Sequence, residues 1–241
     1  MNIKLDQIKI DEVVEHQIDS ISKSLIDLLK VAYTEFPDIQ FASSFGAEDM
    51  VIHHAIHQSK QPIQIFTLDT ERLPKETYTL IAQVKKQLNQ KINIFHPNKL
   101  AVEEYVTQNG INAFYKSLEM RKRCCYIRKV EPLERALSQK SAWMTGMRSE
   151  QAQTREALAI REFDESFQLE KFNPLTNWSE NDVWAYIKIN KVPYNKLHDQ
   201  FYPSIGCAPC TRAISAGEDI RAGRWWWENP ENKECGLHIK G

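Results

Sequence analysis

The sequence has no long apolar stretch and no excess of charge of one sign. It lacks a run of roughly 18 apolar residues, the length that a membrane-spanning helix needs. Its 31 Lys and Arg residues nearly balance 32 Asp and Glu residues, and the net charge of −1 argues against a globally basic nucleic-acid-binding protein. Charged residues such as Lys4, Asp6 and Lys9 interrupt the N-terminal apolar positions, so no secretory signal is predicted. The sequence therefore predicts a cytoplasmic protein without membrane or nucleic-acid partners.

Cysteine and glycine are also scarce. The 241 residues include five cysteines, an odd number that argues against a disulfide framework and favours metal or redox chemistry in a reducing compartment. A chain of this length buries a sizeable core without disulfide staples. Only eight glycines occur, and none belongs to the Gly-Lys-Ser/Thr loop of P-loop nucleotide-binding proteins.

Short apolar runs alternate with helical patterns along most of the chain. Strands are predicted over 39–42, 63–68, 92–95 and 142–146 and near 167–169, and helices over 18–33, 49–58, 75–88, 130–137 and from Ser179 to 189. This alternation favours an α/β fold, a twisted parallel sheet with helices on both faces. We expect one domain in three parts: an N-terminal helical segment over 1–37, an α/β binding domain over 38–200 and a loop-rich tail over 201–241.

A loop suited to an anion follows the first predicted strand. It runs from Ser43 to Asp49 with the sequence SSFGAED, and a helical pattern begins at its end. Small residues let backbone N–H groups turn inward, and the helix N-terminus adds positive partial charge. A simple strand–helix joint capped by serine explains the loop about equally well. A second turn, LDTER from Leu68 to Arg72, suits either a nucleotide contact or an Asx turn.

Four of the five cysteines form two pairs. Cys124 and Cys125 are adjacent, and Cys207 and Cys210 form a C-x-x-C. Four thiolates from two segments fit either a tetrahedral zinc ion or a four-iron cluster. Adjacent side chains on a helix point about 100° apart, which suits the separated corners of a cluster better than one small ion. Five cations flank the first pair and would offset the cluster's negative charge: Arg121, Lys122, Arg123, Arg128 and Lys129.

The fifth cysteine, Cys235, lies near the C-terminus in the sequence ECGLH. With four ligand positions filled by the other cysteines, its thiol is free to react, and nearby cations favour the reactive thiolate. Arg212, Arg221 and Arg224 precede it and are candidates for an anion site. Mobility of a chain terminus suits a thiol that must meet two partners in turn. We therefore predict a mobile C-terminal tail that carries a nucleophile.

Eight short motifs, in this order, resemble the assimilatory adenylyl-sulfate reductases, the iron–sulfur branch of the phosphoadenylyl-sulfate reductase family. They are SSFGAEDMV, LDTERL, KRCCYIRKVEPL, TGMRSEQAQTR, FNPLTNWSENDVWAYI, GCAPCTR, AGEDIRAGRWWWE and ECGLH. No single motif suffices. Their order, with CC, C-x-x-C and ECGLH all present, is highly specific and covers nearly the whole chain from residue 38.

The resemblance implies an ATP-pyrophosphatase-like α/β fold of the adenine nucleotide alpha hydrolase type. It also implies the reduction of adenosine 5′-phosphosulfate to sulfite and AMP, in sulfate assimilation and cysteine biosynthesis. Thioredoxin would be the reductant, Cys235 would carry an S-sulfocysteine intermediate, and the protein would form a homo-oligomer. A [4Fe–4S] cluster would be bound by Cys124, Cys125, Cys207 and Cys210.

The same resemblance assigns roles to residues along the whole chain. The implied catalytic residues besides Cys235 are Lys129, Arg221 and Arg224. The implied substrate-binding residues are Ser43, Ser44, Gly46, Leu68, Thr70, Arg148 and Arg155. One position departs from the family pattern: Glu71 stands where family members commonly have glycine. Glutamate adopts a positive φ less readily than glycine does.

Three other interpretations are distinguishable from this one. A reductase of 3′-phosphoadenosine 5′-phosphosulfate is the nearest, although cluster-free relatives that use this substrate lack the CC and C-x-x-C pairs. A tRNA-thiolation enzyme of related fold would carry a Ser-Gly-Gly-x-Asp-Ser loop, which differs from SSFGAED, and would need RNA, which the net charge does not favour. A zinc-stabilised binding module explains the four cysteines but leaves ECGLH and the anion loop without a purpose.

Overall fold

The computed structural model describes residues 5–151 and 158–229, which form an α/β fold around one mixed sheet. The sheet has six strands in the order β3-β2-β1-β4-β6-β5. All neighbouring strands are parallel except β5, which is antiparallel to β6. The strands are β1 (Gln40–Ala42), β2 (Gln64–Leu68), β3 (Ile92–Phe95), β4 (Ala142–Met144), β5 (Arg161–Asp164) and β6 (Leu169–Phe172).

Seven α-helices and several short helical turns connect these strands within the described ranges. The helices are α1 (Glu12–Glu35), α2 (Ala47–Ser59), α3 (Lys75–Gln87), α4 (Lys99–Asn109), α5 (Leu118–Cys125), α6 (Glu131–Leu137) and α7 (Glu180–Ile189). A π-helical turn, Tyr126–Val130, joins α5 to α6. Wide turns of this kind are rare and often lie at functional sites. The described helices include none that is both long and apolar enough to cross a membrane.

The side chains of each strand alternate between two hydrophobic clusters on opposite faces of the sheet. Ile65 of β2 joins the cluster that contains α1, α2, α3 and α7, whereas its neighbour Phe66 joins a second cluster with α6. In β4, Met144 and Trp143 divide in the same way. This alternation is the period of two that a strand imposes. Helices therefore cover both faces, and the predicted α/β architecture is confirmed.

Local sequence signals account for several helix boundaries. The Asp11 side chain accepts a hydrogen bond from the Val14 N–H at the start of α1. Ser179 and Asp182 form a capping box at the start of α7. Helix α1 extends beyond the predicted range 18–33 at both ends. The prediction followed only the core-facing stripe of the helix, which the buried residues Ile18, Leu25, Leu29 and Ala32 mark.

Other elements differ from the sequence prediction. The last strand, expected near 167–169, is Leu169–Phe172, and the neighbouring edge strand β5 was not predicted. The sequence of β5, REFD, has exposed and half-buried residues in alternation and no apolar run, because the strand lies at the sheet edge. Helices α4 and α5 were also missed. In α4 only Tyr105 is buried, so the helix shows little amphipathic pattern.

Candidate active site

The main cavity lies at the carboxyl ends of β1, β2 and β4. It has a volume of about 320 Å³. In a parallel sheet, ligands bind at this edge where the strand order reverses, and here β1 has its neighbours β2 and β4 on opposite sides. Within the described ranges, the walls contain all the predicted catalytic and substrate-binding residues except Arg148: Ser43, Ser44, Gly46, Leu68, Thr70, Lys129, Arg221 and Arg224.

The two serines of the anion loop are held by other side chains. His53, fully buried, approaches the Ser43 Oγ at 2.9 Å with Nε2 and the Gln90 Oε1 at 2.7 Å with Nδ1. Burial lowers the pKa of His53 to about 4, so the imidazole is neutral. The neutral ring donates a hydrogen bond to Gln90 and accepts one from the Ser43 hydroxyl. The Phe45 N–H donates to the Ser43 Oγ. Phe45 itself has a left-handed backbone, with φ of 62°.

Asp49 closes the loop from the first turn of α2. Its Oδ2 accepts hydrogen bonds from the Ser44 N–H at 2.6 Å and the Ser44 hydroxyl at 2.8 Å. Gly146 lies against the other oxygen, and a Cβ at Gly146 would come within 2.2 Å of Asp49 Oδ1. Burial raises the pKa of Asp49 from 3.8 to about 6, and the nearby Glu48 adds to the rise. The sequence did not single out Asp49 as a functional residue.

We expect Asp49→Asn to become more stable relative to the parent chain as the pH rises. Because the folded-state pKa exceeds the unfolded value, Asp49 favours folding at low pH and loses this contribution as the pH rises through about 6. An amide keeps the shape without ionising, so the variant should gain roughly 2.4 kcal/mol over the parent between about pH 4 and pH 7.5. Urea unfolding of both chains across this range measures the difference, and a constant difference would contradict it.

The turn after β2 binds the cysteine segment to the sheet. Glu71 adopts the left-handed conformation, with φ of 59°, although it occupies the position where glycine was expected. Asp69 Oδ1 accepts the Glu71 N–H at 2.8 Å, which stabilises this conformation as an Asx turn. Arg128 contacts the Glu71 carboxylate at 3.2 Å and donates to the Thr70 carbonyl at 2.7 Å. These contacts offset the conformational free energy that a positive φ costs in a residue other than glycine.

Three cations from two segments reach the main cavity. Lys129 belongs to the π-helical turn, and Arg221 and Arg224 belong to the C-terminal loops. Arg148 is different: its guanidinium is buried and contacts Glu48 at 2.9 Å, Glu150 at 2.6 Å and the Trp178 carbonyl. In this arrangement the Arg148 guanidinium pairs with Glu48 beside the anion loop. The anion contact predicted for Arg148 stays a prediction.

Arg224 is clamped between a glycine and a tryptophan. Its guanidinium lies over the Trp225 ring, 4.6 Å from the centroid. On the other side, a Cβ at Gly206 would come within 2.5 Å of Nη2 and 2.6 Å of Cζ. Contacts with Ser204 and the Ile205 carbonyl complete the surroundings. Because Gly206 has no side chain, the Arg224 guanidinium can occupy this space in the cavity wall.

The four paired cysteines line a second, smaller cavity beside the first. Cys124 and Cys125 lie at the end of α5, and Cys207 and Cys210 lie in and beside the short helical turn Ala208–Cys210. Four cations face the same cavity: Arg72, Arg121, Arg128 and Lys129. Lys129 lines both cavities, so the two sites share a side chain.

Burial and the nearby cations act in opposite directions on these thiols. Burial raises the pKa of Cys210 to about 12 and also raises that of Cys124. Lys129 and Arg128 act in the opposite direction on these two thiols. Metal binding needs thiolates, which such cations favour. In the described part of the chain, no three His, Cys, Asp or Glu side chains are gathered closely enough to hold a single metal ion.

A buried ion pair fastens the last described segment to the cysteine helix. Arg121 of α5 donates to both oxygens of Glu228, at 3.0 Å and 2.8 Å. The side chains are only 1% and 8% exposed. Arg121 also stacks on the Trp225 ring at 4.7 Å, and the Trp225 backbone N–H donates to the Cys210 carbonyl at 3.1 Å. The predicted residues Arg155 and Cys235 lie outside the described residues.

Solved structures share this architecture. A phosphoadenylyl-sulfate reductase from Candida auris, in a phosphate complex, superposes with a TM-score of 0.67 at 29% sequence identity, covering 86% of this chain and 99% of that one. The yeast FAD synthetase has a TM-score of 0.57 at 13% identity, covering 87% of this chain and 71% of that chain. At that identity the likeness concerns the fold alone.

Sequence comparisons define the family. A protein named adenosine 5′-phosphosulfate reductase from Allochromatium vinosum is 55% identical over 213 residues, which are 88% of this chain and 83% of that protein. One of the same name from Burkholderia cepacia is 56% identical over 201 residues, or 83% and 80% of the two chains. The family description "phosphoadenosine phosphosulfate reductase domain" matches residues 38–213. Cavity, sheet order and motifs thus agree, and the chain belongs to the phosphoadenosine phosphosulfate reductase domain family.

Proposed function

We propose that this chain reduces adenosine 5′-phosphosulfate to sulfite and AMP. The observation that carries the proposal is a cavity with three cationic side chains that shares Lys129 with a pocket of four cysteines. The names of the relatives from Allochromatium vinosum and Burkholderia cepacia support the same substrate. The motif order from SSFGAED to ECGLH supports it as well.

The proposed reaction begins at Cys235. Its thiolate attacks the sulfur of the phosphosulfate, a bond forms between Cys235 Sγ and that sulfur, and the bond to the bridging oxygen breaks. AMP leaves with the electron pair, and the enzyme carries an S-sulfocysteine. Lys129, Arg221 and Arg224 stabilise the charge that develops on the bridging oxygen and the sulfonyl group.

An external dithiol completes the cycle. A thioredoxin thiolate attacks Cys235 Sγ, sulfite leaves with the electrons of the sulfur–sulfur bond, and a mixed disulfide remains. The second thioredoxin thiol then displaces Cys235, which releases oxidised thioredoxin and regenerates the free thiol. Two electrons pass from thioredoxin to the sulfonyl sulfur, so the balance needs no further reductant. The other four cysteines are assigned to metal binding, so the second thiol comes from the partner.

The same proposal assigns Cys124, Cys125, Cys207 and Cys210 to a [4Fe–4S] cluster. Four thiols from two segments that line one cavity together with cationic side chains support such a group. When bound, the cluster adds a fixed negative charge beside the substrate cavity and orders the segments that hold it. Arg72, Arg121, Arg128 and Lys129 offset that charge.

Metal content and substrate preference together test the proposal. Protein purified without oxygen should contain about four iron and four acid-labile sulfide per chain. With thioredoxin present, adenosine 5′-phosphosulfate should give a higher kcat/KM than its 3′-phosphorylated form. Stoichiometric zinc without sulfide would refute the cluster. A preference for the 3′-phosphorylated nucleotide would refute the substrate while leaving the fold and cavity unaffected.

Gly206→Ala is expected to weaken substrate binding through Arg224. The added methyl group would overlap the guanidinium, which the Trp225 ring prevents from retreating. Displacing one charged contact should raise KM about tenfold, because such contacts contribute roughly 1.5–3 kcal/mol. Steady-state kinetics measure this effect. In the double variant with Arg224→Ala, the glycine change should add little, and full additivity would contradict the mechanism.

A further inference from the structure

Residues 212–223 form a loop, the Arg221 loop, that brings Arg221 to the wall of the main cavity. The residues that flank this loop, Thr211 and Arg224, pair with each other as a short antiparallel bridge. Inside the bridge, the Arg212 N–H donates to the Gly223 carbonyl at 3.0 Å. The two ends of the loop are therefore fixed directly after the C-x-x-C segment.

Side-chain packing does little to hold the Arg221 loop between its fixed ends. Ile214, near the start of the loop, is 9% exposed, and its N–H donates to the Phe201 carbonyl at 2.9 Å. Residues 215–222 include none that is buried. Hydrogen bonds and ion pairs, rather than burial of apolar surface, therefore determine the path of the chain that leads to Arg221.

An ion pair between Arg212 and Glu218 crosses the loop. Arg212 Nη2 lies 2.7 Å from Glu218 Oε1, and Nη1 lies 2.9 Å from Oε2. The same Oε2 accepts the Ser215 N–H at 2.7 Å, and Arg212 Nη1 also donates to the Ala213 carbonyl at 2.8 Å. Because two parallel hydrogen bonds fix the relative orientation of an arginine and a carboxylate, the pair closes this half of the loop. Arg212 itself is not among the residues that line the main cavity.

The second half of the loop connects Glu218 to Arg221 through two successive turns. Asp219, the neighbour of Glu218, accepts the Arg221 N–H with its Oδ1 at 2.8 Å, and its carbonyl accepts the Ala222 N–H at 2.9 Å. The Arg221 carbonyl then accepts the Arg224 N–H at 2.9 Å. Arg221 lies where the two turns meet, so its position depends on where the ion pair holds Glu218.

We propose that Arg212 and Glu218 are positioning residues that hold Arg221 toward the anionic part of the ligand in the main cavity. The identity of that ligand rests on the proposed function. The side chains of the pair are 39% and 33% exposed, and exposed ion pairs add little to overall stability. The effect of the pair is therefore local. Without it the Arg221 loop samples more arrangements, and ligand binding has to select the one that places Arg221 correctly.

The test compares AMP with adenosine as ligands of the protein purified without oxygen, by calorimetric titration without turnover. AMP keeps the bridging oxygen of the proposed substrate on its phosphate, and adenosine lacks the phosphate. Glu218→Ala should raise the Kd for AMP about fivefold, the factor expected if Arg221 is correctly placed in about a fifth of the molecules. The Kd for adenosine and the midpoint of urea unfolding should hardly change. An unchanged Kd for AMP, or an equal loss for both ligands, would overturn the proposal.

Two further comparisons show whether the effect passes through Arg221. In the Arg221→Ala background, Glu218→Ala should have little additional effect on the Kd for AMP, whereas full additivity would contradict a positioning role. Exchange of the pair, with Arg212→Glu and Glu218→Arg in one chain, should recover most of the AMP affinity that either single change loses. An exchanged pair that binds AMP no better than the single variants would also contradict the proposal.

The matched control is Glu170→Ala. Glu170 of β6 contacts Arg161 at 2.9 Å in a pair of similar exposure, 28% and 43%, and neither residue lines the main cavity. Its replacement should leave the Kd for AMP unchanged. A loss equal to that of Glu218→Ala would show that removal of any exposed ion pair has this effect, and the proposal would fail. A parent chain that binds neither AMP nor adenosine 5′-phosphosulfate would refute the proposed function instead.

Discussion

Replacement of Cys235 by serine is expected to abolish thioredoxin-dependent formation of sulfite. A hydroxyl does not ionise near neutral pH and is a poor nucleophile toward sulfur, so turnover should fall by at least about 1000-fold. The trapped S-sulfo adduct, visible in the parent chain by mass spectrometry when thioredoxin is withheld, should disappear. Since the proposed ligands of the cluster are other cysteines, iron and sulfide content should not change.

Two further measurements separate loss of the nucleophile from damage to the site. Cys235→Ser should bind AMP with the affinity of the parent chain, because the residues that line the cavity are unchanged. Cys235→Ala should behave in the same way as the serine variant. Appreciable thioredoxin-dependent turnover by either variant would remove Cys235 from the mechanism, and another thiol would then have to carry the intermediate.

Glu228→Gln is expected to cause the largest loss of stability among single substitutions in the described loops. Glutamine keeps the shape but removes the carboxylate charge that pairs with the Arg121 guanidinium, which is 1% exposed. Breaking such a buried pair costs about 3–5 kcal/mol. Because Arg121 stacks on Trp225, which in turn bonds the Cys210 carbonyl, the loss should also loosen the cysteine pocket. Urea unfolding and iron retention report the two effects.

An exposed ion pair provides the matched control. Arg161 contacts Glu35 at 2.6 Å, closer than the Arg121–Glu228 pair, but its side chains are 43% and 44% exposed. Glu35→Gln should therefore leave the free energy of unfolding nearly unchanged. Replacing Arg121 by Met in the Glu228→Gln background should restore much of the stability, because no charge then stays buried. Equal effects of Glu228→Gln and Glu35→Gln would show that burial is not the cause.

The prediction of the fold succeeded where a local pattern carried the signal. Strand β3 has the predicted bounds, and α7 is capped by the predicted Ser179, since apolar runs and capping boxes are properties of a few consecutive residues. The antiparallel strand β5 and the helices α4 and α5 were missed. Their burial depends on neighbours that are distant in the chain, so their own sequences show no clear period.

The candidate site divides in a similar way. Serines, cysteines and arginines at the ends of predicted strands and in the late loops could be identified from the sequence, because each residue type is suited to an anion or a metal. Their partners could not be identified. The sequence does not indicate that Asp49 takes the hydrogen bonds of Ser44, or that Arg148 is turned toward Glu48.

By itself, the sequence determined most of the strands and helices, the family, and the residue types available for chemistry, because these follow from local periodicity and ordered motifs. Only the tertiary structure decided which side chains meet. It brought two cysteine pairs from distant segments to one cavity and placed Lys129 between that cavity and the main one. The physical reason is that hydrogen bonding, desolvation and close packing act between atoms that are near in space, whatever their separation along the chain.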